Sequence, residues 1–326
     1  MRACLLETTG GPEVLALKDV PVPEPGPGQV RVQVAYAAMN PLDAHARAGR
    51  IDWGVPDLPF VVGYEYAGRI DAVGDGVDAA RVGQRVSVAG QWGGFGDYAV
   101  APADTAVPVP DAFDWPLAAA YYTTTLTAWH LVNTVGRVAR DMVVVIHAAA
   151  GAVGLLTTQI AKEKGAVVIG LAGSRDKIDW AARFGADHWL NYRQADWPDR
   201  VRELTDGVGA ELIIDGVAGP HAPRNLAALA PLGTILYLGA AGGLAPDIDV
   251  SQLIGQSAGV RGFVVYHAMA RTRGAELPEI HDAVASGRWD LGLGAPVALD
   301  DVADLHRRWE DRTLVGRTVV RVGGDI

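Results

Sequence analysis

The feature that most constrains the fold is an alternation of apolar runs with helix-like segments between about residues 142 and 240. The apolar runs are continuous and of strand length, which is typical of parallel strands covered on both faces. Strand–helix alternation at this spacing predicts right-handed βαβ units and a doubly wound sheet. The predicted strands are 142–151, 166–173, 187–192, 210–217 and 233–240, and the predicted helices are 152–164, 176–185, 196–206 and 220–231.

The chain before about residue 120 has a different pattern, in which short strands are separated by Pro and Gly. In QVRVQVAYAAM (29–39), Val30, Val32 and Val34 alternate with polar residues, as in a half-buried strand. This part is predicted to be a mostly β, barrel-like unit. The segment 298–322 predicts an amphipathic helix and a closing strand, which are expected to fold back on this unit.

Composition excludes several classes of function. Acidic residues outnumber basic ones by 38 to 28, which argues against nucleic acid as a partner because phosphate binding needs a basic surface. No apolar run approaches the ~20 residues of a membrane span, and the N-terminus lacks the pattern of a signal peptide. The single cysteine, Cys4, allows no internal disulfide and no cysteine-rich zinc site. We therefore expect a cytoplasmic protein that binds neither nucleic acid nor membrane.

The loop AAGAVG (149–154) follows the first apolar run of the α/β region and precedes its first helix. This is where a dinucleotide pyrophosphate rests on backbone N–H groups at a helix N-terminus, although Ala149 replaces the first glycine of G-x-G-x-x-G. A methyl group is tolerated there if φ stays negative. The alternative is a tight turn without a ligand. The predicted cofactor contacts are Ala150, Gly151, Ala152, Val153 and Gly154.

The end of the second strand indicates which dinucleotide would bind. NAD sites usually place an acidic residue ~20 residues beyond the loop. Here Gly173 and Ser174 take that place, followed by Arg175 and Lys177, and these residues suit a 2′-phosphate. The prediction is NADPH; the alternative is that the two cations are solvated at the start of a surface helix. Gly239 and Ala240 end the fifth strand, at the carboxyl edge where doubly wound sheets bind ligands.

Five motifs resemble those of the medium-chain dehydrogenase/reductases, in particular the NADPH-dependent, zeta-crystallin-like quinone oxidoreductases. The resemblance covers essentially the whole chain. It implies an α/β fold with a Rossmann NADPH-binding domain at 123–266 and a mostly β GroES-like catalytic domain at 1–122 and 267–326, the cofactor between them, and a homodimer. The motifs are MNPLDAHARAG (39–49), PFVVGYEYAGRIDAVG (59–74), HAAAGAVG (147–154), FGADHWLNY (184–192) and LAPLGTILYLG (229–239).

The chain departs from the zinc-binding members of that superfamily. Their Gly-His-Glu motif is Gly63-Tyr64-Glu65 here, and Met39-Asn40-Pro41 offers no thiol, so no metal is expected. Hydride transfer without a metal ion needs an electron-poor acceptor, namely a quinone or a conjugated carbonyl compound such as an enone. The alternatives are an enoyl or alkenal double-bond reductase and a non-catalytic NADPH-binding sensor or crystallin-type protein.

The resemblance also assigns four candidate catalytic residues. Asn40 matches the polar residue beside nicotinamide and substrate, or else is a turn residue before a proline. His45 stands where a tyrosine is common and either donates a hydrogen bond or a proton to a carbonyl oxygen or is an exposed loop residue. Tyr64 is either a hydroxyl donor or a packing residue. Thr127 matches a threonine near the nicotinamide, or else is an ordinary helical residue.

The remaining cofactor contacts follow from the same resemblance. Tyr192 and Arg317 match residues that, with Lys177, surround the 2′-phosphate. The segment RGFVVYH (261–267) matches the strand beside the nicotinamide carboxamide, with Phe263, Val264 and Val265 as contacts.

Three further predictions concern structural side chains. Asp43 and Arg47 are predicted to pair and hold their loop, with Glu65 as a further candidate. His147 is predicted to be a hydrogen-bonded core residue.

Overall fold

The computed structural model describes residues 1–243, 248–324 and 326 and divides the chain into two compact units. The first unit contains Met1–Thr123 and Leu293–Ile326, and the second contains Thr124–Gly292. Each has its own sheet structure and its own buried apolar core, so they are described separately.

The described residues form sixteen strands and eleven α-helices. None of these helices is long and apolar enough to cross a membrane. The strands are β1 (Arg2–Leu6), β2 (Leu15–Asp19), β3 (Gln29–Ala38), β4 (Phe60–Val61), β5 (Glu65–Val73), β6 (Arg85–Ala89), β7 (Tyr98–Pro102), β8 (Ala106–Pro108), β9 (Val143–Ile146), β10 (Val167–Ala172), β11 (His188–Asn191), β12 (Ala210–Asp215), β13 (Leu229–Tyr237), β14 (Gly259–Gly262), β15 (Val297–Ala298) and β16 (Val319–Arg321). The helices are α1 (Pro41–Arg47), α2 (Trp115–Ala120), α3 (Tyr122–His130), α4 (Ala152–Glu163), α5 (Arg175–Ala181), α6 (Trp197–Glu203), α7 (Asn225–Ala228), α8 (Val250–Gln256), α9 (Val265–Thr272), α10 (Leu277–Ala285) and α11 (Val302–Glu310).

The first unit is built mainly from antiparallel strands. A seven-stranded sheet runs in the order β15-β16-β3-β5-β6-β8, with β7 also paired to β3, and a smaller sheet runs β2-β1-β4. Val30, Val32 and Val34 of β3 are fully buried, which confirms the predicted alternation. β16 pairs antiparallel with β3, with Val319 opposite Ala38, so the C-terminal strand returns to this unit as predicted.

The second unit contains a six-stranded parallel sheet in the order β11-β10-β9-β12-β13-β14, which confirms the doubly wound prediction. The strand order reverses beside β9, and such a reversal leaves a crevice at the carboxyl ends of the strands. The first predicted strand ends early, at Ile146, because the small residues after it form a loop. The predicted helix 220–231 was wrong in part: Pro223 lies in a 3₁₀ segment, α7 is short, and β13 already begins at Leu229.

In the loop after β9, the backbone of residues 148–149 packs directly against the backbone at the start of α4. The left-handed conformation falls on Ala148, with φ of 50°, and not on Ala149, so the methyl group at position 149 is accommodated as expected. A Cβ added to Gly154 would lie 2.4 Å from the carbonyl oxygen of Ala148 and 2.7 Å from the Cα of Ala149. Gly154 therefore lets α4 approach the loop closely.

The division of the chain differs from the predicted one at its second boundary. We expected residues 267–326 to join the first unit, but the chain returns only at Leu293. The reason is a set of contacts made by residues 267–292 within the second unit. Glu276 bonds to the buried His130 at 3.1 Å, and the indole N–H of Trp289 donates to Glu163 Oε1 at 2.9 Å.

We predict that Gly154→Ala lowers the free energy of unfolding by about 1–3 kcal/mol, because the new methyl group meets backbone that cannot move aside cheaply. Urea denaturation measures the change. The matched control is Gly255→Ala in α8, where an added Cβ meets nothing within 4 Å. That variant should be as stable as the parent or more stable, since alanine is the better helix former. Equal effects at the two positions would contradict the prediction.

Candidate functional site

A buried ion pair organises the candidate site residues of the first unit. Glu65, the first residue of β5, and Arg317, just before β16, are almost completely buried, and their carboxylate and guanidinium groups are in direct contact. The other carboxylate oxygen, Oε1, accepts the backbone N–H of Thr123 at 2.8 Å. Both oxygens of this buried carboxylate are therefore hydrogen-bonded, as a buried charge requires.

Asn40 is held in place by this ion pair. It is the N-cap residue of α1, and its backbone N–H donates to Asp43 Oδ2 at 2.7 Å. Its side-chain amide donates to Glu65 Oε2 at 3.1 Å and to the carbonyl of Ala38 at 3.3 Å, and its Oδ1 accepts from Arg317 at 3.0 Å. Both amide hydrogens are used, and the Asn40 side chain also forms part of the capping box at the start of α1.

The prediction that Arg317 contacts the cofactor phosphate is wrong. Besides Glu65 and Asn40, its guanidinium donates to the carbonyl oxygens of Met39 at 2.7 Å and Ala120 at 3.2 Å. All of these acceptors belong to the first unit, and the side chain is only 3% exposed. A guanidinium that is enclosed and bonded in this way is not available to an outside phosphate.

The predicted Asp43–Arg47 pair is also replaced by other contacts. Arg47 forms an ion pair with Glu310 of α11 and donates to the carbonyl of Gly10 at 2.9 Å. Asp43 is completely buried, and its burial raises the pKa of its carboxyl to about 7. The backbone N–H of Asn40 and the charge of Arg317 lower the pKa of Asp43, but they do not cancel the effect of burial.

His45 and Tyr64 both pack against tryptophan. The His45 ring lies edge-on to Trp309 with ring centres 5.5 Å apart. Burial, followed by the charge of Arg50, lowers the pKa of His45, so its imidazole is neutral at pH 7 and is a poor proton donor. Tyr64 is buried, with its ring 4.8 Å from that of Trp92.

In the second unit, most predicted cofactor contacts follow the carboxyl ends of parallel strands. Because these strands run in one direction, their carboxyl ends share one edge of the sheet. At that edge lie the N-terminus of α4 and the segments after β10, β11, β13 and β14. The residues are Ala150, Gly151, Ala152, Val153 and Gly154 after β9, Gly173 and Ser174 after β10, Tyr192 after β11, Gly239 and Ala240 after β13, and Phe263, Val264 and Val265 after β14.

This edge fits the pyrophosphate of a dinucleotide. α4 has Gly151 as its N-cap, and no side chain of the described residues caps its first N–H groups. By helix geometry the N–H groups of Ala152, Val153 and Gly154 have no acceptor within the helix. The flanking side chains are hydrogen or methyl, apart from that of Val153, so an anion can approach the backbone closely.

Apart from Arg317, the residues predicted to surround the 2′-phosphate follow β10 and β11 in the second unit. A Cβ added to Gly173 would be 2.7 Å from the hydroxyl oxygen of Tyr192, which places these two residues side by side. Ser174 is the N-cap of α5, where its Oγ accepts the N–H of Lys177. Arg175 is 82% exposed and pairs with Asp179 one turn later.

Thr127 and Val265 lie in helices of the second unit, whereas Phe263 and Val264 lie in the connection between β14 and α9. Thr127 is buried within α3, and Val265 is the buried first residue of α9. The predicted strand at 261–267 therefore ends at Gly262. Phe263 is partly exposed and Val264 exposed.

Two buried polar residues at this edge were not predicted from the sequence. Asp215, the last residue of β12, accepts a hydrogen bond from the side-chain amide of Asn225 at 2.8 Å, and Asn225 in turn contacts His147. The sequence does contain an indication of Asp215, because a carboxylate at the end of an apolar run is unusual. Asn225 carried no such signal. Its contact with His147 confirms that the histidine is a hydrogen-bonded core residue, although only one ring nitrogen has a partner among the residues that the structure describes.

Two family models match the chain. The one described as an alcohol dehydrogenase GroES-like domain matches residues 26–111, in the first unit, and the one described as a zinc-binding dehydrogenase matches residues 152–285, in the second. Together with the strand order, these matches confirm a GroES-like unit and a Rossmann-type unit.

Three curated proteins illustrate the similarity. The quinone oxidoreductase of Salmonella typhimurium is 31% identical over 95% of this chain and 96% of its own length. The 2-haloacrylate reductase of a Burkholderia species is 30% identical over 98% of both chains. A phenolphthiocerol/phthiocerol polyketide synthase protein of Mycobacterium tuberculosis is 35% identical over 72% of this chain, and the match spans only 11% of that much longer protein.

Two solved structures have the same fold over nearly the whole chain. A mycobacterial protein complexed with NADPH superimposes with a TM-score of 0.92 at 34% identity, covering 98% of this chain and 100% of its own. The Escherichia coli quinone oxidoreductase complexed with NADPH gives a TM-score of 0.93 at 27% identity with the same coverage. The similarity therefore extends over both units.

We predict that removing one partner of the buried ion pair is more harmful than removing both. Glu65→Leu or Arg317→Met alone should lower the free energy of unfolding by about 3–5 kcal/mol, because each leaves a buried charge without its counter-charge. The double variant Glu65→Leu/Arg317→Met should lose clearly less than the two single losses combined. Denaturant titrations of the three variants measure this coupling, and strictly additive losses would disprove it.

We also predict a pH-dependent contribution of Asp43 to stability. Its pKa is about 7 in the folded chain against 3.8 as the reference value, so between about pH 4 and pH 7 the unfolded chain binds fewer protons than the folded one. The free energy of unfolding should therefore fall as the pH rises through this range. In Asp43→Asn this component should disappear, whereas Asp311→Asn at an exposed position should keep the parental profile. The measurement is urea denaturation at intervals across that range, and identical profiles for Asp43→Asn and the parent would refute the assignment.

Proposed function

Because the chain belongs to the zinc-independent quinone oxidoreductases of the medium-chain dehydrogenase/reductase family, we propose that it is an NADPH-dependent reductase. Its acceptors are quinones or related conjugated carbonyl compounds. The observation that carries the proposal is the set of small-residue loops along one edge of the parallel sheet, which suits a phosphorylated dinucleotide.

The choice of NADPH is supported by the residues after β10. No acidic side chain stands at Gly173 or Ser174, where it would repel a 2′-phosphate, and Lys177 lies in the first turn of α5. Two proteins of the same fold were solved with NADPH bound. We propose that Lys177, Ser174, Arg175 and Tyr192 recognise the 2′-phosphate.

When bound, NADPH supplies the hydride, and an acceptor that is already electron-poor takes it up. The N–H groups at the start of α4 bind the pyrophosphate, and Gly239, Ala240 and the segment 263–265 border the nicotinamide end. Asn40 accepts a hydrogen bond through Oδ1, with its orientation fixed by Glu65 and Arg317. We further propose that Tyr64, Thr127 and a neutral His45 contact the acceptor.

A second candidate activity is reduction of a carbon–carbon double bond conjugated to a carbonyl group. It is favoured by the similarity to a 2-haloacrylate reductase, which covers nearly the whole of both chains. The two activities differ in product, because an enone reduced at the double bond gives a saturated ketone and a quinone gives a hydroquinone.

The same proposal includes a homodimer in a reducing compartment such as the cytoplasm. The single cysteine, Cys4, is buried, which fits a protein that does not depend on disulfide bonds.

A panel of acceptors tests the activity. Purified protein with NADPH should reduce 1,4-benzoquinone or 9,10-phenanthrenequinone, observed as loss of NADPH absorbance, with kcat/KM about tenfold or more above that with NADH, since a charge-assisted contact is worth about that much. Chromatography of the products from an enone separates the second activity. Tight NADPH binding without turnover on any quinone, enal or enone would favour the non-catalytic alternative.

Two lysine variants test the cofactor choice. Lys177→Ala should reduce the preference for NADPH over NADH several-fold, because one positive charge near the 2′-phosphate is lost. Lys164→Ala, at the exposed C-terminal end of α4, removes the same charge elsewhere and should leave the preference unchanged. An unchanged preference in Lys177→Ala would contradict its assigned role.

A further inference from the structure

Three buried polar side chains, Asp215, Asn225 and His147, form a continuous hydrogen-bonded chain at the carboxyl edge of the parallel sheet. We refer to them as the buried polar trio. We propose that the trio positions the loops that bind the dinucleotide, and that His147 is therefore a positioning residue for NADPH binding. This inference rests on the proposed function.

The hydrogen bonds of Asn225 establish which groups of the trio donate and which accept. Its amide nitrogen donates to Asp215 Oδ2 at 2.8 Å and to the Tyr237 hydroxyl at 3.3 Å. Its Oδ1 therefore faces His147 Nε2, at 2.8 Å, and since Oδ1 only accepts, Nε2 carries the proton. Burial lowers the pKa of His147, in agreement with a neutral imidazole that has a single N–H.

Both ends of the trio lie beside a strained backbone residue. Asp215 Oδ1 accepts the N–H groups of Val217 at 2.7 Å and Ala218 at 2.9 Å, and Ala218 has φ of 51° and ψ of −136°. His147 directly precedes Ala148, whose φ is 50°. Alanine rarely adopts such conformations, and they persist only where surrounding contacts enforce them.

Backbone hydrogen bonds from Asp215 and Val217 extend these contacts to the loop after β13, the third loop at this edge of the sheet. The backbone carbonyl of Asp215 accepts the N–H of Leu238 at 3.0 Å, and that of Val217 accepts the N–H of Gly242 at 2.6 Å. The loops after β9, β12 and β13 thus share one set of contacts. Two of these loops carry proposed cofactor contacts, Gly151 in the first and Gly239 in the third.

Loss of the imidazole donor has a defined consequence. Asn225 Oδ1 would be a buried acceptor without a partner, which is unfavourable, and the amide would give up its present orientation. Asp215 would then lose a donor that orients its carboxylate, the group that accepts the N–H groups of Val217 and Ala218. We therefore expect a lower affinity for NADPH, whereas the rate of reaction of bound NADPH should change little.

The test compares His147→Leu with His147→Gln, whose amide nitrogen restores a donor near the position of Nε2. In calorimetric titrations, we expect the Kd for NADPH to rise about tenfold or more in His147→Leu and to stay within about threefold of the parent in His147→Gln. Steady-state assays should show the same rise in the KM for NADPH, with kcat at saturating NADPH within about threefold.

His306→Leu is the matched control. His306 is a completely buried imidazole of the first unit with no hydrogen-bond partner for either ring nitrogen among the described residues. This variant should keep the parental Kd even if its melting temperature falls. Asn225→Asp is a second, nearly isosteric variant; it replaces the donor to Asp215 by an acceptor and should also weaken NADPH binding about tenfold or more.

The outcomes separate the inference from the proposed function. A parental Kd in both His147→Leu and Asn225→Asp, with tight NADPH binding by the parent, overturns the inference alone. Equal losses in His147→Leu and His306→Leu also overturn it, because the effect would then be general destabilisation. Absence of NADPH binding by the parent overturns the proposed function and this inference together.

Discussion

The buried contact between Glu65 and Arg317 is the interaction on which the first unit depends. It joins residues 252 positions apart in the chain, and both groups are almost completely buried. Burying two charges is unfavourable unless their remaining hydrogen-bonding groups are satisfied, and here the backbone of Met39, Ala120 and Thr123 satisfies them. The start of α1, the end of α2 and the strand that returns from the C-terminal segment are thereby fixed around one carboxylate. Asn40 takes its orientation from this arrangement.

The second unit reaches its geometry in another way. Much of its candidate site is made of backbone and small side chains, in loops that follow the ends of parallel strands. Such loops offer N–H groups to an anion but have few side-chain contacts with which to hold their own shape. Hydrogen bonds from buried polar residues constrain these loops: Ala218, a residue with positive φ, donates to Asp215, and Ala148, another, directly follows His147. The first unit thus orients polar side chains around a buried ion pair, whereas the second unit presents main-chain N–H groups at the start of α4.

The sequence predicted the parts of this structure that depend on local periodicity. The alternation in β3, the apolar parallel strands and the small-residue turn before α4 all follow from residues close together in the chain. Arg317 was misplaced because its partners lie in distant segments, and no local pattern indicates which of several acceptors a guanidinium will meet. The second boundary was misplaced for a similar reason, since α9 and α10 are amphipathic helices whose apolar faces would suit either unit. The left-handed conformation of Ala148 was not predicted, because φ is decided by contacts across the sheet.

The division of the first unit between the two ends of the chain has a consequence for biosynthesis. Glu65 leaves the ribosome long before Arg317, and β3 long before β16, while every residue of the second unit is made in between. The nascent first unit therefore carries an acidic group without its counter-charge and a strand edge without its neighbour until the last segment is translated. The second unit has no such delay and is able to complete its sheet first. A premature stop codon after Gly292 would therefore leave a fully encoded Rossmann unit attached to a GroES-like unit that is unable to close.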